Sequence, residues 1–469
     1  MSRSSWKAFL ASLAVAGYCA GCSGRAKPAS IDAVILIVID TMRPDRLSCY
    51  GSTDDRTPAM DRIAASGVRF ENAQSPASWT VPSMGSIMTS RYPTQLGLVE
   101  RPPDRDTLFH WRDRRVQINY SLPAGVATLA SLLDDVGFHP VAFVNQPYIN
   151  AGDGFEQGFA EWCLSAGEDS IVWHDTRTPI PTIQFPDKTD LAEADPLLVA
   201  ECRRWLQRNA DRRPFVWVHL VRPHVPDTPL IEHLPKELQK PGVHPAIKRT
   251  AEVREVDDLV GELLAAIDST VGLARSLVIL ASAHGEEFEE HGMFGHGHSL
   301  HGEVIHVPLL IAGPSVPPGA TVSAYASTID LAPTILELVG AKARTPESFQ
   351  GTSLLPLIRG GMTRTPIYSE GMMYGATKRT LIEDRFKLVF DAQAQPPYAL
   401  FDLKRDPLEQ VDVIASERER ATRMKEALVA HTSRMVSDLE LAMGQVGTKE
   451  SAETERILQE MRTLGYIGK

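Results

Sequence analysis

Five short apolar runs, residues 34–40, 140–145, 215–220, 276–282 and 307–313, constrain this chain more than any other feature. Each is rich in Val, Ile or Leu and bounded by polar residues or glycine, the pattern of strands covered on both faces. Helix-like segments lie between them at 57–65 and 126–136. A longer one at 251–268 places Val253, Val256, Val260, Leu263, Leu264 and Ile267 on one face. Strands and helices alternating at this spacing predict an α/β fold with a central, mostly parallel sheet flanked by helices. Ligands of such sheets bind beyond the carboxyl ends of the strands, so the chemistry is expected in the segments that follow them.

The texture changes after residue 345. Short runs at 366–369, 380–382, 386–390 and 399–402 predict a smaller antiparallel sheet. A charged helical tail at 416–441 follows, and a last helix leads into Leu464-Gly465-Tyr466-Ile467. The chain therefore divides into an α/β domain at 33–345 and a C-terminal α+β subdomain at 346–469. The proline-rich stretch 227–244 reads as a loop over the site.

With 48 basic and 59 acidic residues and a net charge of −11, the surface does not suit a general nucleic-acid binder. At the N-terminus, Arg3 and Lys7 precede an apolar run, 8–18, too short to span a bilayer and right for a signal sequence. The run ends in Cys19-Ala20-Gly21-Cys22, which resembles a bacterial lipobox with Cys22 as the lipidated residue, although Cys19 stands where that pattern usually has Leu. Residues 1–22 then form a signal peptide and 23–32 a linker, and the protein is expected on a membrane of the bacterial cell envelope. The alternative is an ordinary secretory signal. Cys49, Cys163 and Cys202 remain, a number that cannot form a disulfide framework and a spacing that fits no zinc motif.

The first strand ends in Asp40-Thr41-Met42-Arg43. An Asp there is a metal ligand in some sites and a helix cap or ion-pair partner in most. Trp79-Thr80-Val81-Pro82-Ser83 precedes a helix-like stretch, 84–90, and Arg91. A hydroxyl in that place is ordinarily an N-cap. The same geometry also aims a nucleophile and free backbone N–H groups at an anion. The third strand runs into His219-Leu220-Val221-Arg222-Pro223-His224, and the fourth into Ala283-His284-Gly285-Glu286-Glu287. His291, His296 and His298 follow, so six of the 14 histidines fall in two post-strand segments, as in metal or oxyanion sites.

In that order, Asp-Thr-x-Arg, Trp-Thr-x-Pro-Ser, His-x-x-x-Pro-His and His-Gly-Glu with Gly-His-Gly resemble the sulfatase family of the alkaline phosphatase superfamily. Gly154-Phe155-Glu156-Gln157-Gly158-Phe159 and Asp330-Leu331-Ala332-Pro333-Thr334 extend the likeness over nearly the whole mature chain. The resemblance implies an alkaline phosphatase-like fold. It implies one divalent cation, calcium first and manganese, magnesium or zinc as alternatives, held by Asp40, Thr80 and His284. It makes Thr80, His224 and His284 catalytic, and gives Arg91, His219, Arg222, His296 and His298 as contacts to the bound anion. The implied partner is a small, carbohydrate-linked or lipid-linked anionic ester.

Four departures bear on the reaction. Thr80 stands where sulfatases carry the Cys or Ser that becomes formylglycine, and oxidising a threonine gives no aldehyde. Met84 replaces an arginine, removing a bidentate anion contact. Ala283 replaces a metal-ligand Asp, for which Glu286, Glu287 or Ser282 would have to compensate. Leu96 replaces a histidine, and Arg222 an Asp, with Arg222 restoring some of the positive charge missing at Met84. Two readings follow: a metal-assisted hydrolase of sulfate or phosphate esters using Thr80 directly, extending to phosphodiesters or phospho-group transfer, and a degenerate lipoprotein that binds an anion or partner without turnover.

Overall fold

The computed structural model describes residues 30–53, 56–98, 121–146, 148–149, 152–165, 171–176, 194–224, 245–361 and 366–443. The signal peptide, Cys22, the 227–244 loop and the terminal Leu-Gly-Tyr-Ile lie outside them. Strands β1 (Ala33–Ile39), β2 (Gly67–Gln74), β3 (His139–Val144), β4 (Glu161–Ser165), β5 (Ile171–Asp175), β6 (Pro214–Leu220) and β7 (Ser276–Ser282) come first. A hairpin of β8 (Glu287–Phe288) and β9 (Phe294–Gly295) follows, then β10 (Leu309–Ala312) and β11 (Ala320–Ser327). These strands, the hairpin apart, form one sheet in the order β11-β2-β10-β7-β1-β6-β3-β4-β5.

The five strands β7, β1, β6, β3 and β4 run parallel side by side. Burial of β1 explains the apolar run AVILIVI: every residue is buried, and alternate side chains serve opposite layers. Val34, Leu36 and Val38 join one core cluster, whereas Ala33, Ile35, Ile37 and Ile39 join the other. Helices α1 (Pro58–Ser66), α4 (Asp195–Asn209) and α5 (Pro245–Thr270) cover the second face. Helices α2 (Thr80–Thr89), α3 (Leu129–Asp134), α7 (Leu331–Leu338) and α8 (Leu355–Ile358) cover the first, with a short α6 (Gly302–Ile305) in the connection before β10. The face predicted for α5 is the buried one, Val253 through Ile267.

Three differences from the sequence reading have physical causes. The run 307–313 forms β10, antiparallel to both β7 and β2, because apolarity marks a buried strand without marking its direction. Strands β2 and β11 escape an apolar-run search because they alternate polar with apolar residues. Their polar sides meet where Asn72 Nδ2 donates to Ser323 O at 2.8 Å. Helix α2 begins at Thr80, four residues before the predicted start, with Trp79 as the N-cap residue and no side-chain cap bond.

The second sheet, β12 (Ile367–Glu370), β13 (Lys378–Glu383), β14 (Phe386–Asp391) and β15 (Tyr398–Asp402), is antiparallel throughout. Helix α9 (Arg418–Met443) packs Ala421, Met424, Leu428 and Val436 against Leu381, Phe386, Leu388 and Leu400. It also touches the first domain, where Gln95 Nε2 donates to Asp438 Oδ2 at 2.8 Å.

Candidate active site

Four neighbouring strands of the parallel block each deliver one polar side chain just past their carboxyl ends. These are His284 after β7, Asp40 after β1, His224 after β6 and Gln146 after β3. Helix α2 brings Thr80 to the same point. Asp40 and His284 are fully buried, and Thr80 and Gln146 nearly so. Directly after Asp40 the chain turns through a left-handed residue, Thr41 with φ 53°, which takes the backbone away from the sheet. Gly285 is required next to His284, since a Cβ there would lie 2.2 Å from Glu303 O.

Thr80 Oγ1 is the centre of the arrangement. It lies 3.2 Å from His284 Nε2 and 3.4 and 3.3 Å from the two oxygens of Asp40. The hydroxyl therefore does not cap its own helix. Gln146 Nε2 donates to Asp40 Oδ2 at 2.7 Å and reaches Thr80 Oγ1 at 3.5 Å. His219, the second-last residue of β6, is fully buried with Nε2 3.4 Å from Asp40 Oδ1, and neither of its ring nitrogens is aligned for a hydrogen bond. The His296 ring lies 4.3 Å from that of His284, and the His224 ring 4.9 Å from that of His296.

The protonation states follow from these neighbours. Burial alone would raise the Asp40 pKa, but the imidazoles of His219, His284 and His224 outweigh it and hold the carboxyl well below its usual range. Burial pushes His284 down to about 3, reinforced by His296 and opposed by Asp40. A neutral His284 carries one ring proton, and its Nδ1 sits 2.8 Å from Gly285 O. That carbonyl can only accept, so the proton is on Nδ1 and Nε2 presents a lone pair to Thr80.

Not every predicted residue reaches this point. Arg91 lies beyond the other end of α2, about 15 Å along the helix from Thr80, where its charge faces Asp438 of α9. Arg222 pairs with Glu255 of α5, while its backbone N–H donates to Asp195 Oδ2 at 2.9 Å. Its charge is thus shared with Glu255. Of His296 and His298, His296 lines the cluster; His298 Nε2 is held by Glu287 at 2.7 Å. His291 stacks on His301 at 3.6 Å, outside the cluster. Gln146 is not legible in the sequence: a single Gln belongs to no motif, and only its place after β3 points to it.

The architecture is the alkaline phosphatase-like α/β fold. The sulfatase profile matches residues 32–341, and that of the C-terminal region of N-sulphoglucosamine sulphohydrolase matches 289–434. The chain belongs to the sulfatase family. Arylsulfatase K of Xenopus laevis is 32% identical over 188 residues, 37% of this chain, and the chain spans only 34% of that relative's length. A structure solved with its substrate D-glucosamine-2-N,6-O-disulfate superposes with a TM-score of 0.65 at 20% identity, over 88% of this chain and 98% of that one. Phosphonate monoester hydrolase of Agrobacterium radiobacter gives the same TM-score and identity over 87% and 96%.

Sulfatase-family members generally use a divalent metal. Among the described residues, no group of three or more His, Cys, Asp or Glu side chains is arranged to hold one. The donor chemistry agrees. Calcium takes six to eight oxygen ligands, roughly, and among the described residues Asp40 supplies the only carboxylate in contact with Thr80 Oγ1. Ala283 belongs to the apolar core. Ser282 Oγ accepts from Met42 N and donates to His284 O, and Glu287 binds His298 and Ser299. Glu286 faces His296 at 3.4 Å. None of the three compensates for the absent Asp, and the residues present do not fit a calcium ion.

Proposed function

We propose that this chain hydrolyses sulfate or phosphate esters by direct attack of Thr80. The observation that carries the reading is the lone pair of His284 Nε2 directed at Thr80 Oγ1 from 3.2 Å, in a tautomer fixed by Gly285 O. A hydroxyl beside an unprotonated imidazole is the nucleophile–base pair of covalent catalysis. A base of pKa about 3 is weak, and a bound anionic ester beside the ring raises it toward the working range.

The reaction divides into two displacements. Thr80 Oγ1 gives its proton to His284 Nε2 and bonds to sulfur or phosphorus, while the bond to the ester oxygen breaks. The leaving oxygen takes a proton from His224, a step that requires the imidazolium form of that ring. Water then attacks the Thr80 ester and passes its proton to His224, and Thr80 Oγ1 recovers its own proton from His284. His296 and the free N–H groups at the start of α2 face the non-bridging oxygens. A carbohydrate sulfate is the substrate class that the structural neighbour's bound disulfate favours. The motif ending in Cys22 supports lipid attachment in the cell envelope.

One observation favours the second reading, a binding protein without turnover: Ala283 and Met84 are both fully buried in the apolar core. Turnover of 4-nitrophenyl sulfate, 4-nitrophenyl phosphate and bis(4-nitrophenyl) phosphate separates the two. Thr80→Ala is expected to lose at least about 100-fold in kcat/KM while still binding inorganic sulfate. Equal turnover by the variant removes Thr80 from the reaction. Sulfate binding without turnover of any ester by the wild type establishes the binding protein.

A further inference from the structure

A buried carboxylate must be answered by positive charge or by hydrogen-bond donors. Asp40 is fully buried, and its shortest contact is Gln146 Nε2 at 2.7 Å. The Gln146 amide cannot be turned round, because its Oε1 already accepts the backbone N–H of Tyr148 at 3.2 Å. An NH2 group therefore faces Asp40 Oδ2. The other oxygen, Oδ1, faces Thr80 at 3.4 Å and His219 at 3.4 Å. A cation approaching Asp40 meets a hydrogen-bond donor where it needs a further oxygen.

We propose that Gln146 stands in place of the family's metal ion. Its neutral amide anchors the Asp40 carboxylate and reaches Thr80 Oγ1, so that the anion site is built on imidazoles and an amide and does not depend on a divalent cation. Gln146 is a positioning residue, acting through Asp40 and Thr80. The surroundings agree: the Ala283 methyl lies in the apolar core, and its carbonyl oxygen accepts from Ser75 Oγ at 2.6 Å. Among the described residues, no carboxylate but Asp40 meets Thr80 Oγ1. The inference concerns the site of the proposed reaction, but it is read without substrate, so its failure is distinct from a failure of turnover.

The experiment compares wild type, Gln146→Glu and Gln146→Ala after chelator treatment and dialysis. Metal content and unfolding midpoint are followed on adding CaCl2 or MnCl2. The wild type is expected to retain no stoichiometric metal, and its midpoint to stay within about 1 °C, since a ligand that does not bind the native state cannot shift it. Gln146→Glu sets a second carboxylate against Asp40, an arrangement in which both cannot ionise unaided. This variant is expected to fall in midpoint in chelator and to recover with cation. Gln146→Ala, which leaves room for a hydrated cation beside Asp40, is expected to show a smaller response of the same sign. One equivalent of calcium or manganese on the wild type overturns the proposal, whether or not the variants fold. So does the absence of a cation response in both variants.

Discussion

Lys387 is a fully buried lysine on β14, and replacing it with methionine tests how the small sheet supports the candidate site. Its Nζ donates to both oxygens of Glu409, at 2.7 and 2.9 Å, and to Leu300 O at 2.5 Å. Glu409 in turn accepts from Gly302 N at 2.8 Å and lies 3.1 Å from His301 Nδ1. Together they clamp the far end of the segment that carries His296. Burial would raise the Glu409 pKa, but Lys387 and His301 pull it from 4.5 to about 2. At about 1.4 kcal/mol per pH unit, that is worth about 3 kcal/mol at neutral pH. Leaving Glu409 buried without its partner costs about 3–5 kcal/mol, in agreement.

Urea unfolding at constant m is the assay. Because the folded carboxyl has the lower pKa, its contribution is complete above 4.5 and is lost as pH falls toward 2. Lys387→Met is therefore expected to lose about 3–5 kcal/mol at neutral pH, with the difference from wild type shrinking through that acid window. The double variant Lys387→Met/Glu409→Leu is expected to regain much of the loss. A loss below about 1 kcal/mol, or a double variant no better than the single one, would refute the reasoning.

Two further outcomes are expected. Gly285→Ala drives a methyl to 2.2 Å from Glu303 O, a backbone atom that cannot step aside, and should cost about 1–3 kcal/mol and weaken sulfate binding; an unchanged midpoint and unchanged sulfate affinity would show that the strand end yields freely. Burial raises Asp195 from 3.8 to about 6 and Asp330 to about 7, despite the backbone N–H groups each accepts. A raised folded pKa gives stability that is whole below 3.8 and is lost as pH climbs to about 6 or 7. His284, lowered to about 3, works in the opposite sense over much of the same range, so the effect is read by difference. Wild type is expected to lose stability relative to Asp330→Asn as pH climbs from 3.8 to about 7, and a gap that stays constant with pH would contradict it.

The parts of the fold legible in sequence are those that local composition dictates. Strand β1 is readable because both of its faces are buried, and α5 because only one is. Strands β2 and β11 are not, since half of each strand's side chains are polar or solvent-facing and dilute the apolar run. The direction of β10 depends on the length of the connection from β7, which passes through a hairpin and α6 before returning. Within the site, Asp40, Thr80, His224 and His284 stand out because residue type and post-strand position agree. The surroundings of Arg91 and Arg222 are not legible, because charge alone does not reveal a partner such as Asp438 or Glu255. Gln146 stayed hidden because its role exists only once β3 lies two strands from β1, beyond β6.

The same dependence on strand pairing extends beyond Gln146. Residues 40, 80, 146, 224 and 284 meet only when β7, β1, β6 and β3 are all paired, and each pairing joins segments far apart in the chain. No fragment or half-formed sheet offers a weakened form of the pocket. Occupancy by an anion is thus a report on the completeness of the whole sheet, and a bound ester would slow the opening of its central strands as well as of the residues it touches.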